Sequence, residues 1–343
     1  MVGPPPSTWA VDPAAAGVFE IVPRLWQLRL PLTWPGISHV NAYLVELPGG
    51  GVALFDCGSA GDPSAWLALV TALGAAGHEV TDVRLLVATH AHSDHIGLAR
   101  PLVGASGCTF RMHPRHQAFT DGGRDPDRIE AARARRARLE GVPDGELPLF
   151  ASVAEELEGV ELPVPPAAPL ADDDAIDTAV GPWQVIETPG HTPSHVCLYQ
   201  QESGLLVGGD LVGKQFAPFF DYGYSGDPYA ELLASLDRIA PLAVERTLPG
   251  HGRPIDDLAP VLDEHRTELA ARLAAVEAAV AEGPAGGYEL AERVFGPPET
   301  DYDRVYRLAE ILAYVRHLRL AGRVRREVRE SRYVYVWAPC EQR

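Results

Sequence analysis

A layered α/β domain followed by a helical unit is the architecture this sequence predicts, and three observations carry the prediction. Strand-length apolar runs alternate with helical spacing in the first third of the chain. Several of those runs end on His or Asp beside Gly, and after about Asp256 the pattern becomes helical.

The chain has 343 residues, enough for about two domains. Its hydrophobic content of 46% and charged content of 22% are those of a soluble globular protein. The formal charge of -18 argues against a general polyanion binder, which shows a basic footprint. Cys57, Cys108, Cys197 and Cys340 are scattered without a CxxC pair, which fits a reducing compartment. Met1-Val2-Gly3-Pro4-Pro5-Pro6 lacks the charged and apolar regions of a signal peptide, and no apolar run reaches the roughly 18 residues of a membrane span. The simplest placement is cytoplasmic.

Residues 1–17 read as a loose arm rich in Pro, Ala and Gly. Strands are expected at Phe19–Leu30, His39–Glu46 and Val52–Asp56, the last two joined at Pro48-Gly49-Gly50-Gly51. Residues 63–77 carry helical spacing, and Val83-Arg84-Leu85-Leu86-Val87-Ala88 is a buried-strand run. A helix from about Gly97 to Val103 and a strand at Thr109–His113 follow. Residues 114–160 break the rhythm, with a helix over Arg128–Leu139, and fit either a cap over a site or a surface excursion. Strands resume at Gly181–Thr188, His195–Gln200, Gly204–Gly209 and Arg246–Leu248. Helices at Leu262–Glu282, Tyr288–Phe295 and Val305–Leu320 then precede a hairpin at Val324–Trp337, a pattern suggesting a small winged-helix unit.

Chemistry concentrates in Thr89-His90-Ala91-His92-Ser93-Asp94-His95, directly after a buried strand. At a strand end alternate residues point the same way, so His90 and His92 can face one metal ion, while Asp94 and His95 are aimed elsewhere and suit a second. His191, Asp210 and His251 each follow another strand beside Gly, where the backbone can bend sharply. Five imidazoles and two carboxylates form a mixed nitrogen and oxygen set suited to two divalent ions, zinc first, with iron or manganese as alternatives.

This pattern resembles the metallo-β-lactamase superfamily, whose HxHxDH, His, Asp, His series is complete here over roughly residues 18–260. The resemblance implies a four-layer αβ/βα sandwich with the metals at one edge between two sheets. It implies His90, His92 and His191 on the first metal, Asp94, His95 and His251 on the second, and Asp210 bridging. Asp56 matches the early Asp that backs the motif from behind the ligands. Asn41-Ala42-Tyr43-Leu44, Phe55-Asp56-Cys57-Gly58, Thr188-Pro189-Gly190-His191-Thr192 and Pro249-Gly250-His251-Gly252 are similar to glyoxalase II-like hydrolases. Asp210 argues against the β-lactamases that place a zinc-bound cysteine there. The C-terminal elements resemble the extension of β-lactamase-like protein 2 relatives, a subgroup holding both small-molecule hydrolases and an endoribonuclease.

The expected organisation is a catalytic domain over 18–258, with the 114–160 insert, and a winged-helix-like domain over 259–338. The expected function is a dinuclear hydrolase whose metal-bridging hydroxide cleaves an acyl ester, thioester or lactone of a small molecule, with Asp94 orienting the hydroxide and shuttling its proton. An endoribonuclease and a non-catalytic metal-binding module are the rivals. Phe216, Phe219, Phe220, Tyr222 and Tyr224 follow Asp210 and could form an acyl pocket, and Lys214 could bind a substrate carboxylate. His195 reads as a strand residue with a hydrogen bond, and Trp34 and His39 as candidates to border the cleft. The tail carries Arg316, Arg319, Arg323, Arg325, Arg326, Arg329 and Arg332, expected to pack within the protein or a homodimer more than on nucleic acid.

Overall fold

The computed structural model describes residues 17–34, 37–61, 64–116, 125–152, 166–214, 218–221 and 223–338. Its first sheet runs in sequence order: β1 (Gly17–Val22), β2 (Leu25–Trp34), β3 (Ile37–Glu46), β4 (Val52–Phe55), β5 (Val83–Val87), β6 (Thr109–Met112) and β7 (Ala168–Pro169). β1 to β4 pair antiparallel, and β4 to β7 parallel. The second sheet has the order β12 (Arg246–Pro249), β11 (Leu205–Gly209), β10 (Val196–Gln200), β9 (Gly181–Glu187), β8 (Ala175–Thr178). Helices α1 (Ala65–Ala75), α2 (Ser93–Ile96) and α3 (Ala99–Ser106) belong to the first half; α4 (Pro126–Leu139) and α5 (Leu147–Ala151) form the insert. α6 (Pro228–Ile239), α7 (Leu258–Glu282), α8 (Gly287–Phe295) and α9 (Asp301–Leu320) precede the hairpin β13 (Val324–Arg329) and β14 (Arg332–Trp337).

Three apolar clusters separate four layers. Tyr43, Phe55 and Val87 of the first sheet meet Trp183, Leu198 and Val207 of the second. The outer face of the first sheet buries Leu69, Leu73 and Leu102 of α1 and α3. The outer face of the second sheet, through Ile186, Tyr199 and Leu206, shares one core with α6, the insert and the C-terminal helices. The αβ/βα sandwich implied by the sequence is therefore present. Strands buried on both faces, such as β4, carry unbroken apolar runs because each face meets a different layer.

Three details depart from the expectations. Phe19–Leu30 is two strands, because Pro23 and Arg24 make a turn in which Arg24 adopts a φ of 76°. The helix α6 was not anticipated, although Asp227 caps it by accepting from the Ala230 N–H at 3.2 Å and Pro228 opens it. The short strands β7 and β8 were likewise unforeseen. Among the described residues no helix is long and apolar enough to cross a membrane.

The described part of the insert is docked on the C-terminal elements. Glu146 accepts from the Tyr288 hydroxyl and from Arg304, each at 2.9 Å. Glu140, buried, accepts from the Tyr335 hydroxyl of β14 at 2.9 and 3.0 Å, and its carbonyl accepts from the Tyr288 N–H. A Cβ on Gly287 would stand 2.8 Å from a Glu140 carboxylate oxygen, so the close approach depends on glycine. Burial raises the Glu140 pKa to about 7, against the lowering pull of the Tyr335 hydrogen bond and of Arg326, Arg136 and Arg319. The folded state then holds a proton that the unfolded chain releases near its ordinary value, so this group loses stability as pH rises from about 4.5 towards 7. Glu140→Gln is expected to remove that loss, on the order of 3 kcal/mol, when urea unfolding of variant and parent is compared at pH 5 and pH 8. An unchanged difference between the two pH values would contradict the assignment.

Candidate metal centre

The His motif sits where β5 ends and α2 begins, on the edge at which both sheets terminate. His92 is the residue before α2 and has extended backbone, so Asp94 and His95 enter the first helical turn while His90 remains on the strand side. β9, β11 and β12 deliver His191, Asp210 and His251 to the same edge. The backbone locks these ends together: Thr188 N–H to His195 O, Val196 N–H to Thr89 O, and Gly250 N–H to Gly209 O at 2.7 Å. Glycine is required at the last contact, since a Cβ on Gly250 would lie 2.1 Å from Asp210 Oδ1 and 2.8 Å from His95 Cε1.

Two donor groups result. His90, His92, His191 and Asp210 form one, and Asp94, His95 and His251 the other, with donor atoms within 4.8 Å of one another in each. The nitrogens of His90 and His191 lie 3.0 and 3.1 Å from His92 Nδ1. Tetrahedral nitrogen donors about 2.0–2.1 Å from a zinc ion would stand about 3.3 Å apart, so this spacing fits one cation. Asp210 reaches both groups: Oδ1 is 3.4 Å from His95 Nε2, and Oδ2 is 3.4 Å from His251 Nε2 and 3.7 Å from His191 Nε2. Asp94 Oδ2 is 3.1 Å from His251 Nε2.

Both Asp94 oxygens, Asp210 Oδ1 and His95 Nε2 are buried without a well-formed hydrogen bond. Buried polar atoms are seldom left so, and here they face one another. The donors therefore fit divalent cations, the element that would satisfy all of them at once.

Outer partners orient the rings. Asp56, at the end of β4 with a φ of 61°, meets His95 Nδ1 at 2.8 Å and accepts from the Thr89 N–H at 2.7 Å and its hydroxyl at 2.8 Å. Thr89 Oγ1 lies 3.0 Å from His90 Nδ1, and His251 Nδ1 donates to the His39 carbonyl at 3.0 Å. Asp221 Oδ1 lies 3.3 Å from His92 Nε2. His195 contacts Thr188 Oγ1 through Nδ1 at 2.8 Å and accepts from the Asp210 N–H through Nε2 at 3.1 Å, so the hydrogen bond expected of it holds Asp210.

Charge does not follow the grouping cleanly: burial lowers His92 of the first group, but Asp221 outweighs it, with Asp94 and Asp210 adding, and raises it. Burial drives His191 down to about 3 and His90 well below its ordinary value, leaving neutral imidazoles with free lone pairs. Burial also lowers His251, but Asp210 and Asp94 outweigh it and raise the group to about 10. Burial raises Asp94 and Asp210, yet the neighbouring imidazoles pull both below the usual carboxylate range. A cation entering the second group would displace protons, so binding there strengthens with pH.

The remaining candidates separate. Phe219 stands against the first group, its ring centroid 5.2 Å from His92 and 5.6 Å from His191. Phe220 is buried against Tyr314 of α9. Lys214 and Tyr224 are exposed. Phe216 and Tyr222 lie outside the described residues. His39 borders the cluster through its carbonyl, while Trp34 packs on the outer face of the first sheet, away from it. Asp221 and Tyr306 were not foreseen. A lone Asp in an aromatic loop carries no spacing signal, and Tyr306 belongs to a helix far along the chain.

A two-sheet α/β sandwich with a buried His and Asp cluster at the sheet edge defines a metal-dependent hydrolase fold. The chain belongs to the metallo-β-lactamase superfamily, which its residues 35–251 match. It is 26% identical over 283 residues to the probable metallo-hydrolase YqjP of Bacillus subtilis, covering 78% of this chain and 84% of that protein. The Drosophila melanogaster β-lactamase-like protein 2 homolog is 34% identical over 89 residues, 26% of this chain and 28% of that protein. Among solved structures, the metallo-β-lactamase family protein TTHA1429 of Thermus thermophilus is similar at a TM-score of 0.80 and 29% identity, covering 92% of this chain and 99% of that one. A β-lactamase domain protein of Burkholderia ambifaria has a TM-score of 0.79 and 27% identity, covering 96% of each chain.

Removing the Asp221 carboxylate tests the outer partners. Asp221→Asn is expected to weaken metal retention about 10-fold or more in competition with a chelator, with unchanged far-ultraviolet circular dichroism. Retention equal to that of the parent would detach Asp221 from the centre.

Proposed function

We propose that this chain is a dinuclear metal-dependent hydrolase that cleaves an ester-type bond to a carbonyl, a thioester, ester or lactone of a small molecule. The observation that carries the reading is a donor set of seven residues in two groups with Asp210 between them, in which buried atoms of Asp94, His95 and Asp210 lack a hydrogen bond. His90, His92 and His191 would hold one ion, Asp94, His95 and His251 the other, and Asp210 would touch both. Zinc suits this nitrogen-rich set best, and iron or manganese accept the same donors. Divalent ions in these positions supply Lewis acidity, which lowers the pKa of water and polarises a carbonyl oxygen.

The side chains contribute the rest. Asp94 is ionised at neutral pH, because His95 and His251 offset its burial, so it can accept a proton from attacking water and return it to the leaving group. His195 and Gly250 keep the Asp210 carboxylate in register. Phe219 bounds the substrate side. Lys214 and Tyr224, exposed on either side of it in sequence, would meet the outer part of a substrate.

The preference for carbon over phosphorus rests on the acidic whole chain and on an Arg-rich tail that, although exposed, is largely paired within the chain at its surface. Arg316 donates to the Gly226 carbonyl, Arg323 pairs with Glu277, and Arg325 and Arg329 pair with Glu327 at 3.1 and 2.8 Å. Arg326 covers the Tyr333 ring at 4.0 Å. In this reading residues 18–258 carry the chemistry and 259–338 form a winged-helix-like unit that packs on them.

A panel of acyl thioesters, lactones, aryl esters and single-stranded RNA, assayed with zinc-, iron- and manganese-loaded protein, tests the proposal. Turnover of at least one acyl class is expected, with kcat reduced about 10²-fold or more in Asp94→Asn. Cleavage of RNA alone would replace this reading with the nuclease, and no turnover of any member would leave a metal-binding module.

A further inference from the structure

Phe219 joins the metal centre to the C-terminal region. One side of its ring meets His92 and His191; on another stands Tyr306 of α9, with centroids 5.2 Å apart. Tyr302, one turn earlier on the same helix face, lies 5.6 Å from Tyr306. Phe219, Tyr302 and Tyr306 are each only partly buried, as are His92, Asp210 and His251 among the donors. The aromatic row therefore begins at His92, a donor residue that is itself partly exposed.

The Tyr306 hydroxyl also lies in the field of the centre. Its pKa is raised well above the ordinary value, chiefly by burial, with Tyr302, Glu310 and Asp210 adding to the rise and Arg272 opposing it. It is a neutral hydroxyl at any physiological pH. Glu310 is fixed in turn by Arg272 at 2.7 Å and by the Tyr314 hydroxyl at 2.8 Å, which anchors the middle of α9.

We propose that α9 completes the active site, Tyr306 and Tyr302 continuing Phe219 as an aromatic wall that selects acyl compounds with a flat ring or bulky apolar group next to the scissile carbonyl. The inference rests on the ester-type reading given above. Aromatic rings bury a large area and favour edge-on or offset partners, so a ring on the substrate gains more here than a methyl group does. The C-terminal unit thus acts as a specificity element for the metal centre. Its helices share one apolar core with the second sheet, which fixes α9 relative to the metal centre.

Hydroxamates bind divalent metals whether or not the protein turns over an ester, so they separate the wall from the reaction. With the full zinc-loaded chain, benzohydroxamate is expected to bind about tenfold tighter than acetohydroxamate by calorimetry. That ratio should fall to about threefold or less in Tyr306→Ala and should persist in Tyr306→Phe. Tyr302→Ala, at a more peripheral ring, should lower it partly and serves if Tyr306→Ala does not fold. Equal affinities in the parent, binding of neither compound, or an undiminished ratio in Tyr306→Ala or in Tyr302→Ala would overturn the inference. Acyl turnover with no aromatic preference would remove the wall and keep the hydrolase. Aromatic preference in hydroxamate binding without acyl turnover would keep the wall and remove the ester-type reading.

Discussion

Lone pairs buried against lone pairs are the constraint on which this molecule depends. Asp94 and Asp210 share His95 and His251 at 3.1 to 3.5 Å, largely shielded from water, and four of the atoms concerned lack a hydrogen bond. Such a cluster is unstable unless positive charge compensates it. Protons on His95 and His251 do so in part, and divalent ions would do so fully. The sandwich holds this unfavourable arrangement in place, with strands ending together and their loops crosslinked by backbone hydrogen bonds.

The tolerances are narrow. Gly250 and Gly209 sit where a Cβ would meet Asp210 Oδ1 and His195 Nε2 at 2.1 and 2.5 Å. Asp56 accepts a strained backbone and ties β4, Thr89 and His95 into one unit. Residues beside the donors thereby fix their directions, and the preorganised geometry is what a hydrolytic centre needs.

Much of this was legible in the sequence because it is local. The HxHxDH run carries its own spacing, and His191, Asp210 and His251 announce themselves by their position after strands and beside glycines. The layers follow from unbroken apolar runs such as Val52–Phe55. What could not be read depends on contacts between distant segments. Two departures did carry local signals: Pro23 breaks the apolar run before Arg24, and the Asp227-Pro228 start of α6 stood in a stretch dominated by aromatic residues; the others depend on distant segments. Asp221 acquires its place only when the loop after β11 folds against His92, and Tyr306 only when α9 packs on Phe219 of that loop. The substrate side is tertiary, and a linear pattern does not encode it.

The central claim of the proposal is that two cations, not one, would occupy the paired donor groups. The most direct measurement is metal content per chain, by mass spectrometry of the loaded protein after exhaustive exchange into metal-free buffer, repeated on His191→Ala. The account predicts two ions per chain in the parent and one in the variant, the second group being intact. A parent that holds a single ion, or a folded parent that holds none, would contradict it.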